Sequence, residues 1–314
     1  MKKNIEASIR AKLYNISKKE NIDFDFLLLR YIQDSFLKRV SLSKYSENFI
    51  LKGGLLLFYM DFPYSRPTRD VDFLGVGIRK DEQEIKRIIK EISEIQAEDG
   101  VIFNPNSMKI ETIREDTNYE GISVKIDGNI ERAKKRIRID IGFGDLMVKP
   151  VNKMVIKTIL GRVFEGIRIY PIESIVSEKF EIMIKFSVFN SRLKDFYDIY
   201  FLTKYYEFKL SKVKEALILT FKKRRTKIPG SVPLVLKPEF YKRKDIGLQW
   251  KAYLNKIGIR EVTEDFGEIV ERIKDFILPV LDDINKVEVK GKERIWSSKK
   301  GMWDFISADK FLRG

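Results

Sequence analysis

A glycine pair in Leu51-Lys52-Gly53-Gly54 and two carboxylates one residue apart in Arg69-Asp70-Val71-Asp72 constrain this chain more than any other feature. Side chains alternate along a strand, so Asp70 and Asp72 point to one face while Val71 points into the core. Two carboxylates on one face repel each other unless a cation sits between them. Magnesium prefers oxygen ligands and is commonly held by one or two carboxylates plus substrate phosphates, which Asp70 and Asp72 can supply. Gly53 and Gly54 have no Cβ, so the backbone there can approach a phosphate and aim N–H groups at it. The apolar run 55–60 fits a helix rising from that turn, and the chain returns through Pro63 and Pro67 into the acidic strand. Each piece has a plainer reading by itself, an ordinary turn or a solvated strand edge. Together they describe a pocket for a metal and a triphosphate, in which Lys52, Arg66, Thr68 and Arg69 flank the phosphates. For Arg66, Thr68 and Arg69, capping of the loop stands beside phosphate binding as the other reading.

Around this motif the periodicity predicts two N-terminal helices, through Ile9, Leu13 and Ile16 and then from Asp23 through Leu28, Tyr31, Phe36 and Leu37. Residues 81–98 carry Ile85, Ile88, Ile89, Ile92 and Ile95 at helical spacing. Strands are predicted over 109–115, 121–127 and 136–143, the last alternating Ile137, Ile139 and Ile141 with Arg138 and Asp140. That makes Asp140 a third acidic candidate, either a metal ligand or a partner of Arg138. From Pro171 the pattern turns helical: an apolar face from Ile172 to Val188, a break at Asn190-Ser191-Arg192, and a helix carrying Asp195 and Asp198 on one face. Further helices cover 213–223, 248–257 and 266–281, and the tail after Lys286 is either a short hairpin or a loose end.

Composition narrows the chemistry. The 314 residues contain no cysteine and no histidine, which removes disulfides, thiol nucleophiles, ordinary zinc sites and a histidine base. Catalysis has to run on carboxylates, lysines, hydroxyls and hard metal ions. A net charge of +15, from 61 basic and 46 acidic residues, favours phosphate polyanions such as RNA, although solvated helix faces account for many lysines. The densest basic runs are Lys134-Lys135-Arg136-Ile137-Arg138, Lys222-Lys223-Arg224-Arg225 and Lys242-Arg243-Lys244. No run approaches the roughly 18 apolar residues of a membrane span and no secretory segment opens the sequence, so a cytoplasmic protein without a membrane partner is expected.

Six ordered segments carry a resemblance: Ser8-Ile9-Arg10-Ala11-Lys12-Leu13, Phe49-Ile50-Leu51-Lys52-Gly53-Gly54, Arg66-x-Thr68-x-Asp70-x-Asp72, Ile139-Asp140-Ile141-Gly142-Phe143-Gly144-Asp145, Ser177-Glu178-Lys179-Phe180 and Ser191-Arg192-x-Lys194-Asp195-x-x-Asp198. The chain resembles the AbiEii/AbiGii-type nucleotidyltransferase toxins of abortive-infection and type IV toxin–antitoxin systems, a group that includes the MenT-like enzymes. The resemblance implies an α+β fold, a polymerase-β-like minimal nucleotidyltransferase domain over 1–165 followed by a mainly helical domain over 166–314. It implies transfer of a nucleoside monophosphate from an NTP, with Mg2+ or Mn2+, to an RNA acceptor such as the tRNA 3′ end, and an antitoxin encoded nearby. The other outcomes left open are transfer to a protein hydroxyl and a nucleotide- or RNA-binding module without catalysis. Carried onto this sequence, Asp70 and Asp72 become the metal pair, Gly53 and Gly54 the phosphate turn, Lys179 the catalytic lysine and Asp195 the aspartate of the Lys-Asp motif. Arg192, Lys194 and Asp198 support that motif, and Asp140 occupies the third-carboxylate strand.

Overall fold

In a computed structural model of the chain, residues 2–60, 67–116, 119–187, 192–258, 265–286 and 293–305 are described. The elements run α1 (Lys2–Glu20), α2 (Phe24–Leu42), β1 (Phe49–Lys52), α3 (Gly53–Tyr59), β2 (Asp70–Gly75), α4 (Glu82–Ser93), β3 (Ile102–Asp116), β4 (Tyr119–Ile130), β5 (Ala133–Phe143), β6 (Lys153–Lys157) and β7 (Val163–Ile169). There follow α5 (Ile172–Phe186), α6 (Leu193–Tyr205), β8 (Phe208–Lys209), α7 (Leu210–Arg224), α8 (Pro238–Tyr241), α9 (Lys244–Ile257), α10 (Phe266–Asn285), β9 (Arg294–Ser297) and β10 (Met302–Phe305). Arg66, Pro63 and Ser191, singled out in the sequence, lie outside the described residues. Among the described residues no helix is long and apolar enough to cross a membrane.

The chain divides into two compact units. The first takes in the described residues up to Asp145 and those from Val151 to Tyr170. It is built on a seven-stranded mixed sheet of order β3-β4-β5-β2-β1-β7-β6. β2 runs antiparallel to β1 and parallel to β5. Period-two alternation decides which face is covered: Leu51, Val71, Phe73, Ile122, Val124, Ile139 and Ile141 are buried on one side of the central strands, where α2 and α4 pack. α4 starts at the cap Asp81, whose carboxylate accepts from Glu84 N at 2.8 Å, and ends at Ser93, short of the expected 98. The three expected strands all form: β3 starts seven residues earlier and ends one later, β4 starts two earlier and ends three later, and β5 starts three earlier and ends where expected. β1, β6 and β7 were not expected. Residue 165 falls within β7, whose parallel pairing with β1 draws it into the first sheet.

The second unit comprises Leu146–Pro150 and the described residues from Pro171 onward. Its core is aromatic: Phe196 stacks on Phe240 with ring centroids 6.0 Å apart and meets Phe266 edge-on at 5.1 Å. The tail closes as the hairpin β9–β10, joined by β8 into a small sheet. Trp296 explains why it is fixed there: fully buried between Phe276 and Trp303, it donates its indole N–H to the Thr203 carbonyl at 2.7 Å.

Candidate functional site

The acidic strand sits in the middle of the first unit's sheet, flanked in register by two others. Asp72 lies opposite Lys52 on β1 and opposite Asp140 on β5, while Asp70 lies opposite Arg138. On β4, Ser123 lies opposite Asp140 and Lys125 opposite Arg138. Residues paired in this way share a face, so Lys52, Asp70, Asp72, Arg138, Asp140, Ser123 and Lys125 form one polar surface on the side away from α2 and α4. Val71 is fully buried between two half-buried carboxylates, as alternation requires.

The glycine turn lies against this surface. Gly53 has φ +69°, a left-handed conformation that L side chains rarely adopt, and a Cβ built there would overlap the Asp72 carboxylate and stand 2.8 Å from its Cβ. Conformation and close approach thus both demand glycine, and the approach is to one of the two acids. The Lys52 ammonium reaches Asp145 at 2.7 Å and lies 4.8 Å from the centre of the Tyr170 ring. α3 is held from behind by α2. Tyr59 donates to Asp34 at 2.5 Å, and the Arg30 guanidinium lies 3.8 Å from the Phe58 ring centre and 4.2 Å from that of Tyr59. Burial pushes the Asp34 carboxyl up, an effect that Arg30 opposes. One turn away, Gln33 Nε2 donates to the Arg69 carbonyl at 2.8 Å, fixing the entry to the acidic strand. Thr68 is half-buried and Arg69 exposed in that approach.

In the second unit, α5 and α6 bring together the helical residues singled out in the sequence. The Lys179 ammonium donates to Asp198 at 2.6 Å and to Asp195 at 3.2 Å. Arg192 Nε donates to the other Asp195 oxygen at 3.0 Å. Both carboxylates are almost wholly buried, 1% and 3% exposed, and Lys179 is 12% exposed. The three-residue spacing puts both acids on one helical face, and the lysine from the neighbouring helix offsets their charge. Asp198 is therefore a partner of Lys179 at least as close as Asp195. Lys194 is half-buried beside them.

A sequence model of the AbiEii nucleotidyltransferase toxins of type IV toxin–antitoxin systems matches residues 35–272, most of the chain and every site position above from Lys52 to Asp198. The chain belongs to the AbiEii family. No curated protein matches it. Two solved structures from Helicobacter pylori are similar: a candidate nucleotidyltransferase, 18% identical over 84% of this chain and 97% of that one with a TM-score of 0.46, and JHP933, 18% identical over 82% and 93% with a TM-score of 0.47. By that family the AbiEii chain is a nucleotidyltransferase, in a family of toxins, and its own elements form a mixed α/β fold.

Within this AbiEii chain the third acidic candidate is engaged. Asp140 accepts from Ser123 Oγ at 2.6 Å and from Arg138 Nε at 2.9 Å. Of the two roles the sequence leaves open for it, the geometry displays the pairing with arginine. Among the described residues no group of three or more acidic side chains is arranged to hold a metal ion. The pair Asp70 and Asp72 nonetheless suits a hard cation: two half-buried oxygen donors on one face, beside a cradle that a Cβ would fill. Sequence reasoning did not assign roles to Gln33, Ser123, Asp145 or Tyr170. Asp145 carried the one usable signal, an acid directly after the Gly142-Phe143-Gly144 strand exit.

Proposed function

We propose that this nucleotidyltransferase moves a nucleoside monophosphate from an NTP to an RNA acceptor, the 3′ end of a tRNA, with Mg2+ held by Asp70 and Asp72. Manganese can stand in for magnesium. The observation that carries the reading is the placing of Asp72 directly over the left-handed Gly53, on the same face as Asp70. A divalent ion bound there would neutralise the triphosphate and the charge that develops on it as the bond to the leaving pyrophosphate breaks.

The chain's own residues supply the rest. Gly53 keeps the space above Asp72 clear, and the turn at Gly53 and Gly54 leaves backbone N–H groups near the phosphates. The acceptor hydroxyl oxygen forms a bond to the α-phosphorus, pyrophosphate departs, and the hydroxyl proton must be taken up. With no histidine in the chain, a carboxylate receives it. Asp140, steadied by Ser123 and Arg138 on the same face, is assigned that role because the metal pair does not require it. Lys179 is assigned the offsetting of phosphate charge, with Asp195 and Asp198 setting its ammonium and Arg192 and Lys194 supporting them. Lys52, Arg66, Thr68 and Arg69 are assigned to the nucleotide. As in the family's type IV systems, a cognate antitoxin is the proposed protein partner.

The test is incubation of the purified protein with α-labelled NTPs, Mg2+ and total RNA. Label on RNA of tRNA size, removed by chelation of the metal, is expected. Label migrating with protein would contradict the RNA acceptor, and no labelled product from any NTP would contradict nucleotidyl transfer by this chain.

A further inference from the structure

The three basic runs of the sequence look alike as text and differ sharply in structure. In the first, every cation has a carboxylate: Lys134 and Arg136 each reach Asp127 at 2.7 Å, Lys135 reaches Asp25 at 2.6 Å and Arg138 reaches Asp140 at 2.9 Å. In the third, Arg243 closes on Asp245 at 2.6 Å, leaving two lysines. In the second only Arg224 turns inward, to Glu181 at 2.9 Å and Glu178 at 3.3 Å. Lys222, Lys223 and Arg225 are exposed, as is Lys227 two residues on. Among the described residues, none of these four has a carboxylate partner.

These cations stand on a fixed backbone. α7 ends in a left-handed Arg225, with Arg225 N bonded to the Lys222 carbonyl at 3.3 Å and Thr226 N to that of Phe221 at 3.0 Å. The Thr226 hydroxyl donates to the buried Glu181, so the turn is tied to α5 from beneath. Chain reach alone keeps the four Cα atoms within about 18 Å of one another. Lys227 also lines an open groove of about 390 Å³, with Pro229, Gly230, Val232 and Val235. Compensation of the helix dipole explains one such cation, since the C-terminus carries only about half a negative charge. It does not explain four.

We infer that the end of α7 together with Lys227 is a docking surface for the phosphate backbone of the RNA acceptor. The inference rests on the RNA reading proposed above and adds where on the second unit the acceptor is held. Four uncompensated cations match a polyanion with closely spaced charges, and neutralising its phosphates releases counterions. None of the described groove residues is aromatic, so the surface offers no stacking platform for bases. Recognition here is of backbone charge and is indifferent to sequence.

The experiment is anisotropy of fluorescent tRNA with the full chain, without NTP, between about 50 and 200 mM salt. Wild type is compared with the combined variant Lys222→Gln, Lys223→Gln, Arg225→Gln, Lys227→Gln and with the control Lys242→Gln, Lys244→Gln. Loss of four phosphate contacts should flatten the slope of log affinity against log salt by roughly 3, with a small change in the control. A combined variant with the wild-type slope would overturn the docking surface while leaving the RNA acceptor standing. Wild type that binds polyglutamate but no tRNA would overturn both, and assign the patch to an acidic protein. Should the combined variant fail to fold, lysine acetylation of wild type decides. Protection of Lys222, Lys223 and Lys227 by tRNA supports the surface, and unchanged labelling overturns it.

Discussion

Asp70 with Asp72 and Asp195 with Asp198 are the same two groups set at two spacings, and the molecule treats them in opposite ways. On the strand, a spacing of two puts both acids on a half-buried sheet face beside a glycine that clears space over one of them. On the helix, a spacing of three puts both acids on a buried face where a lysine already bonds them. The strand pair stays half-buried, whereas the helical pair is almost wholly buried against Lys179 and is part of the fold. A carboxylate pair is thus read by what stands opposite it, and spacing alone reports only which face it shares.

The largest effect that sharpens this contrast is on turnover. Asp72→Asn should lower nucleotidyl transfer on the order of 10³-fold with an unchanged melting temperature, measured by label incorporation and by thermal unfolding. The stability counterpart comes next. Asp195→Ala with Asp198→Ala strands the Lys179 ammonium in a buried site and should cost about 3–5 kcal/mol in denaturant unfolding, whereas Asp70→Asn with Asp72→Asn should cost less than about 1 kcal/mol because both acids are only half-buried. Equal losses from the two double variants would break the comparison.

A smaller effect is expected at the turn. Gly53→Ala combines a strained φ with overlap on Asp72, so about 1–3 kcal/mol of stability should be lost and nucleotide affinity should fall with it. Full affinity would mean that the turn and the acid are not one site. The smallest effect is an acid dependence outside both pairs. Hydrogen bonds from Arg136, and then Lys134, hold the Asp127 carboxyl below its usual value. A depressed folded value gives stability that is present above about pH 4 and lost as the pH falls through the folded value. Asp127→Asn should remove that part of the acid dependence in unfolding scans from neutral to acid pH.

Much of the first pair was legible because strand alternation is local: Asp-Val-Asp forces two acids onto one face whatever surrounds them. The turn glycine was legible for the same reason. The short strands were not. Lys153-Met154-Val155-Ile156-Lys157 and Val163-Phe164-Glu165-Gly166-Ile167 alternate weakly; β7 joins the sheet through β1, more than a hundred residues earlier, and β6 joins it only through β7. The direct bond of Asp198 to Lys179 was hidden likewise, since the two lie 19 residues apart on different helices. Near a helix start, an acid satisfies the dipole as readily as it satisfies a lysine, so the sequence admits both. Gln33 was invisible within the apolar face of α2, because its bond is to a backbone carbonyl that any residue at position 69 would offer.

The central claim, that Asp70 and Asp72 and not the helical acids receive the metal that grips the triphosphate, is tested most directly by Mn2+ electron paramagnetic resonance with a non-hydrolysable NTP analogue. One tightly bound Mn2+·nucleotide per chain is predicted for wild type and for Asp198→Asn, and none for Asp72→Asn at the same concentrations. Undiminished Mn2+·nucleotide binding by a folded Asp72→Asn protein would contradict the account.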